Sequence, residues 1–99
     1  MELVLYFKKI GEIEIRLTKA GKLIDALDFS FHGNLDDLLI SSVDKVFKRN
    51  RIETSSLKTV RIGGDVDKNS SAYKIAQTFI EAIKASKQAT EGERSAQRQ

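Results

Sequence analysis

The residues with the most distinctive chemical spacing in this chain are three oxygen donors, Asp65, Asp67 and Asn69. Acidic and amide side chains at alternate positions are the first ligands of a helix-loop-helix calcium site. The rest of that pattern is missing, because Ser70 stands at its glycine position and Ala76 at the position of its bidentate glutamate. We therefore predict no metal site, and expect these side chains to satisfy backbone groups in a turn before a helix.

Two adjacent glycines, Gly63 and Gly64, precede the same loop, and glycine backbone ahead of a helix can approach a phosphate. The nucleotide-binding spacing Gly-x-x-x-x-Gly-Lys-Ser is absent, and Asp65 and Asp67 would repel an anion. A turn at a strand end that only glycine permits is the simpler interpretation. Anion binding by this loop is left open.

No other set of side chains predicts catalysis. Nucleases of the ribonuclease H type place a metal-binding carboxylate on the central strand, but residues 3–7, the predicted central strand, include no acid. His32 stands at a strand end without a Cys or a second His to complete a site, and is interpreted as a loop or capping residue. The chain contains no Cys, which excludes cysteine-based zinc and redox sites. We predict a protein that is not an enzyme and has no cofactor.

A basic cluster offers one functional hypothesis. Lys45, Lys48, Arg49 and Arg51 lie together at the end of the first predicted helix. They could contact phosphates, as in a small RNA- or DNA-binding domain. Cations at a helix C-terminus are also favoured by the helix dipole alone, and the net charge of +3 does not single out nucleic acid as the partner.

Composition predicts one small domain. The chain has 99 residues, 40% hydrophobic and 31% charged. Residues 1–85 carry the periodic patterns of a single α/β domain, whereas residues 86–99 are polar, without apolar periodicity, and are predicted to be a disordered tail. No apolar run approaches the roughly 20 residues of a membrane span, and the first residues have a strand pattern instead of the basic patch and apolar block of an export signal. We therefore expect a cytoplasmic protein with no membrane partner.

Three segments with strand periodicity come first. Residues 3–7 are an apolar run without polar alternates, as in a strand covered on both faces. Residues 13–18 alternate strictly between apolar and polar side chains, and residues 23–31 form a third strand. The first two strands predict one apolar sheet face. Its members are Leu3, Leu5, Phe7, Ile13, Ile15 and Leu17.

Two amphipathic helices follow, with a fourth strand over residues 57–62 between them. Asn34 is a suitable N-cap for the first helix, and Ser70 or Ser71 for the second. Each helix carries an apolar stripe that predicts packing on the sheet. The stripes are Leu35, Leu38, Leu39, Val43, Val46 and Phe47 in the first helix, and Ala72, Ile75, Ala76, Phe79, Ile80 and Ile83 in the second.

The order β-β-β-α-β-α predicts an α+β or α/β domain with one four-stranded sheet. A meander of three strands followed by a crossover helix gives the sheet order 3-2-1-4, with the fourth strand parallel to the first. This is the core order of the ribonuclease H-like and actin-like folds. The helices are expected to cover one face of the sheet and to leave the other face open.

The open face predicts the main functional hypothesis. It would carry Val4 and Tyr6 at its middle and charged residues such as Arg16 around them. An apolar centre with a charged rim is typical of a self-association surface. We predict a non-catalytic protein-interaction module, either a homodimer or a subunit of a larger complex, with Val4, Tyr6 and Arg16 in contact with the partner.

The segment from Leu35 to Ile83 resembles a known family. A leucine-rich helix, a short loop, a strand ending in glycine (LKTVRIGG) and a serine-containing loop before the next helix occur in this order. The same order occurs in the N-terminal lobe of the bacterial tRNA threonylcarbamoyladenosine biosynthesis dimerisation subunit, an actin-like-fold protein. The resemblance implies an actin-like half and a role as a non-catalytic partner subunit. The family's loop corresponds to Gly63, Gly64, Ser70 and Ser71.

Overall fold

The predicted order of strands and helices is confirmed. A computed structural model of the chain describes the backbone of residues 1–97 and the side chains of residues 1–85. A short 3₁₀ turn, Thr54–Ser56, precedes the fourth strand. The strands are β1 (Glu2–Lys9), β2 (Glu12–Lys19), β3 (Lys22–Ser30) and β4 (Thr59–Gly64), and the helices are α1 (Leu35–Asn50) and α2 (Ser71–Gln97).

The four strands form one mixed sheet with the order β3-β2-β1-β4, as the sequence predicts. β1 pairs antiparallel with β2 and parallel with β4, so the apolar opening strand lies inside the sheet. β3 pairs antiparallel with β2, with an irregularity between Leu17 and Thr18. β3 and β4 are therefore the two edge strands.

The apolar face of the sheet is buried beneath the helices, which confirms the predicted side-chain alternation. Leu3, Leu5, Ile13, Ile15 and Leu17 are completely buried. α1 packs against β3 and β2, and α2 packs against β4. The core continues into both helix stripes, with Leu35, Leu39, Val43 and Val46 buried in α1 and Ala76 and Ile80 buried in α2.

The ends of α1 agree with the prediction in position but not in mechanism. Asn34 occupies the N-cap position, yet its side chain makes no capping hydrogen bond to the helix. Instead, the Asn34 Oδ1 accepts from the backbone N–H of His32 at 3.2 Å. At the other end, Arg51 adopts a left-handed conformation (φ 55°), and its N–H donates to the carbonyl oxygens of Phe47 and Lys48.

The N-terminus of α2 is capped by Ser70, one of the two predicted residues. The backbone N–H of Tyr73 donates to the Ser70 Oγ at 3.1 Å. The helical backbone continues past Ala85, where the sequence pattern ends, to Gln97. Residues 98–99 and the side chains beyond residue 85 lie outside the described part of the chain, and the predicted disorder of residues 86–99 stays a prediction. Neither helix, over its described residues, is long and apolar enough to cross a bilayer.

Gly64 closes β4 by a very close approach to β1. Its φ is +87°, and a Cβ atom at this position would lie 2.3 Å from the Phe7 carbonyl oxygen. The next N–H, that of Asp65, donates to the same oxygen at 3.1 Å. Glycine is therefore required here both by conformation and by space. The predicted glycine turn at the end of this strand is confirmed.

Candidate interaction surfaces

The open sheet face, which no helix covers, carries Val4, Tyr6 and Arg16 as predicted. The Arg16 guanidinium stacks on the Tyr6 ring, with its Cζ 3.7 Å from the ring centroid, a cation–π contact. Val4 is only 4% exposed, between its cross-strand neighbours Arg16 and Arg61. The expectation of an exposed apolar centre is therefore wrong at Val4, whose register neighbours on both adjacent strands carry long arginine side chains. Contact of these residues with a partner stays a prediction.

Around this centre the open sheet face carries ion pairs between strands. The Glu2 carboxylate accepts from the Thr59 hydroxyl at 2.9 Å and from the Arg61 Nε at 3.2 Å, and these contacts, led by that of Thr59, lower the pKa of Glu2. The Lys8 ammonium lies 3.5 Å from Asp28, which raises the pKa of Lys8. Such exposed pairs contribute little to stability individually. Together they make this face polar.

The basic cluster is less free than its sequence suggests. The Lys48 Nζ lies 2.9 Å from the Asp44 Oδ2, one helical turn away, and this pairing raises the pKa of Lys48. Arg49 turns towards β3, where it forms two hydrogen bonds with Asp25. Lys45 and Arg51 are exposed. Two of the four predicted phosphate ligands are therefore engaged with acids, and nucleic-acid binding stays a hypothesis with a smaller set of free cations.

Asp25, Arg49 and Asn50 form a bridge between β3 and α1, which we call the Asp25 cluster. The Arg49 Nε and Nη2 donate to the two Asp25 oxygens at 2.5 and 2.6 Å, and the Asn50 Nδ2 donates to Oδ2 at 2.7 Å. These hydrogen bonds, led by that of Arg49, lower the pKa of Asp25 from its ordinary 3.8 to about 2. The acid therefore stays ionised through most of the acidic range.

The Asp25 cluster also occupies the outer edge of β3 at one residue, Ala26. The Ala26 N–H donates to the Asp25 Oδ1 at 2.8 Å, and the Ala26 carbonyl accepts from the Arg49 Nη2 at 3.0 Å. Both groups belong to an edge strand, where an unpaired N–H and C=O could otherwise accept another strand. Sequence reasoning missed this role. The signal in the sequence was Asp25 itself, because strand alternation places this acid on the same face as the apolar Leu27 and Phe29.

The loop between β4 and α2 is closed by its own hydrogen bonds. The Asp67 Oδ1 accepts from the Asn69 N–H at 2.9 Å, and the Asp67 carbonyl accepts from the Ser70 N–H at 3.0 Å. The expected backbone-satisfying role of these side chains is confirmed for Asp67. The Asp65 N–H is bonded to β1, so three loop amides that an anion would need are already used. Within the described residues, no group of three or more His, Cys, Asp and Glu could hold a metal ion.

An apolar groove is lined by residues of both helices, and we call it the helical groove. It has a volume of about 450 Å³. Ile40 of α1 is 59% exposed on its rim, and Ile75 and Phe79 of α2 are only partly buried. The sequence signal was Ile40 itself, a large apolar residue outside the predicted stripe of α1. The groove is lined by Asp36, Ile40, Lys74, Ile75, Thr78, Phe79 and Ala82.

Comparison with known proteins leaves the function to be argued from these surfaces. No protein-family model and no curated protein matches the chain. The surfaces of the domain are therefore the observations from which its function is inferred.

Proposed function

We propose that this chain is a cytoplasmic, non-catalytic protein-interaction module that self-associates through the helical groove. The observation that carries the proposal is the exposure of Ile40 beside a groove lined by Ile75, Phe79 and Ala82. Full burial of an isoleucine side chain is favourable by about 1.5–3 kcal/mol. An apolar groove at the surface of a small domain is where such a gain is available.

The occupant proposed for the helical groove is a second copy of the chain. A two-fold dimer places the same patch of each copy against the other, so the patch must complement itself. This patch contains both a protruding apolar side chain, Ile40, and an apolar depression into which such a side chain can insert. Helix pairs pack by inserting the side-chain ridges of one helix into the grooves of another. A pairing of two α1–α2 layers satisfies that requirement.

The helical groove is preferred to the other two candidate surfaces for physical reasons. The open sheet face is polar, and its Val4 is already buried within one copy. The basic cluster has Lys48 and Arg49 engaged with Asp44 and Asp25. The kinship with an actin-like dimerisation subunit also stays a proposal. The sheet order β3-β2-β1-β4 is compatible with it.

Replacement of Ile40 by glutamate is expected to convert a dimer into a monomer. A carboxylate at this position would have to be buried without a partner in the dimer, whereas in the free chain it stays in water. Light scattering over a range of concentrations measures the mass. Ile10→Glu is the matched control, because Ile10 is fully exposed at the β1–β2 turn and does not line the helical groove. This control is expected to remain dimeric.

A third variant, Tyr6→Glu, separates the two faces. If self-association uses the helical groove, this variant keeps the dimer mass. Loss of the dimer in Tyr6→Glu but not in Ile40→Glu would move the interface to the open sheet face. A wild-type chain that stays monomeric at every concentration would contradict self-association itself.

A further inference from the structure

The outer edge of β4 presents backbone groups that could receive another strand, whereas the edge of β3 is occupied at Ala26. β4 pairs with β1 only. The Lys58 N–H donates to the Met1 carbonyl at 2.7 Å, so the backbone N–H of Lys58 points towards β1. In a strand, every second residue directs its N–H and C=O to the same side. Thr59, Arg61 and Gly63 therefore direct theirs away from β1, and none of the hydrogen bonds within the described residues ends on those backbone groups.

The two edges of the sheet differ at Ala26. At β3, the Asp25 cluster occupies the N–H and the C=O of Ala26. Proteins commonly block an edge strand in such a way, because an open edge recruits another strand. No side chain of the described residues occupies the corresponding groups of β4. The outward backbone groups of Thr59, Arg61 and Gly63 are therefore available to an added strand.

A groove follows the open edge and separates it from α2. It consists of two depressions, each with a volume of about 380 Å³, which share Val60, Arg61 and Lys84. Tyr73, Gln77 and Ile80 of α2 line one depression, and Ile83 lines the other. We call this the edge groove. It extends along β4 from the 3₁₀ turn to the loop before α2, so its floor has the length of a strand.

The charge of the edge groove is predominantly positive. Lys58, Arg61, Lys68 and Lys84 line it, whereas Glu2 is its one acidic residue among those described. Glu2 is bonded to Thr59 and Arg61. Lys68 and Lys84 form no ion pair with any residue whose side chain is described. Among the residues whose side chains are described, Lys68 and Lys84 are therefore lining cations without an ionic partner, and an acidic ligand could pair with them.

We propose that the edge groove binds an extended, acidic segment of another protein, which adds to the sheet as a strand beside β4. Main-chain hydrogen bonds to Thr59, Arg61 and Gly63 would provide the affinity. The cations would select carboxylate side chains, and Val66 and Ile80 would receive apolar ones. A protein segment fits better than a nucleic acid because the donors and acceptors of β4 have the spacing of a strand. This inference is independent of self-association, since the helical groove uses other residues of α2.

The test uses the full chain and a short synthetic peptide in which glutamate alternates with valine. Binding is measured by calorimetry, and NMR follows the amide signals of the protein. The expected result is binding with shifts concentrated at the amides of Thr59, Arg61 and Gly63, and with increased protection of those amides from exchange. A peptide of the same sequence in which every backbone amide is N-methylated cannot donate the ladder hydrogen bonds from either edge, and is expected to bind at least about tenfold more weakly.

The role of the cations is tested with two double variants of the protein, each of which replaces two basic residues by glutamate. The double variant Lys68→Glu/Lys84→Glu is expected to weaken peptide binding by at least about tenfold. The matched double variant Lys45→Glu/Arg51→Glu makes the same charge change outside the edge groove, and is expected to bind the peptide almost as the wild type does. Both pairs are exposed in the chain, so folding is not expected to differ between the variants.

Three results would overturn the proposal. The first is equal binding of the methylated and unmethylated peptides, which would mean that charge alone acts. The second is an equal loss of binding in both double variants. The third is a single-stranded oligonucleotide that shifts the β4 amides while the peptide shifts none. These results do not depend on whether the chain is a monomer or a dimer. Ile40 lines the helical groove and not the edge groove, so the peptide experiment can be repeated with Ile40→Glu.

Discussion

Replacement of Gly64 by alanine is expected to lower the free energy of unfolding by about 3 kcal/mol or more. Two costs combine at this position. A non-glycine residue at φ +87° is strained, and the new Cβ would lie 2.3 Å from the Phe7 carbonyl oxygen and 2.8 Å from the Phe7 nitrogen. Both atoms belong to the backbone of the central strand, so they cannot move aside as a side chain would. Either β4 separates from β1 at this end or the backbone of β1 shifts.

The matched control for this substitution is Gly21→Ala. Gly21 has φ +79°, but a Cβ there would have no heavy atom within 4 Å. Its replacement therefore adds only the conformational cost, about 1 kcal/mol. Urea denaturation of both variants measures the difference. Equal losses of stability would show that the approach of Gly64 to β1 carries no cost beyond its backbone conformation.

Replacement of Asp25 by alanine is expected to lower the free energy of unfolding by about 2 kcal/mol at neutral pH. The substitution removes the acceptor for Arg49, Asn50 and the Ala26 N–H at once. Asp25 is largely shielded, with a side-chain exposure of 19%, whereas Arg49 is 42% exposed. In the variant, water can hydrogen-bond to the partly exposed Arg49 guanidinium. The expected loss of stability is therefore smaller than for a buried ion pair.

Acid titration tests the same cluster with a defined sign. The pKa of Asp25 is about 2 in the folded chain against an ordinary 3.8. Because folding lowers this pKa, the stabilisation is complete above pH 3.8 and is lost as the pH falls towards 2. The difference between wild type and Asp25→Ala should therefore be constant near neutral pH and shrink below the ordinary pKa. A difference that stays unchanged down to the acid-unfolding limit would contradict the role assigned to ionised Asp25.

Asp44→Ala is the matched control for Asp25→Ala. It removes the same charge from an ion pair on α1, but Lys48 and Asp44 are 78% and 55% exposed. Pairs of this kind in helices contribute about 0.3–0.5 kcal/mol. The control should therefore change the free energy of unfolding only slightly.

Much of the fold was determined by the sequence itself. The uninterrupted apolar run of residues 3–7 favoured a position inside the sheet, where both faces of a strand can be covered. The strict alternation of residues 13–18 determined which of their side chains enter the core. The stripes of the two helices fixed the faces that pack on the sheet. These features are periodic patterns in short segments, and the burial of apolar surface is the main interaction that determines which face of each segment packs inward. The mixed sheet order follows from them through the crossover rule.

Only the tertiary structure decided the surfaces. Asp25 and Arg49 are 24 residues apart, and no local period connects an edge strand to a helix end. Val4 is buried between strands that bring Arg16 and Arg61 beside it. The helical groove likewise forms only where residues of both helices come together. Each exposed polar contact of this kind contributes about 1 kcal/mol or less. Such small energies do not appear as a pattern in the chain, so they become visible only when distant segments are brought together.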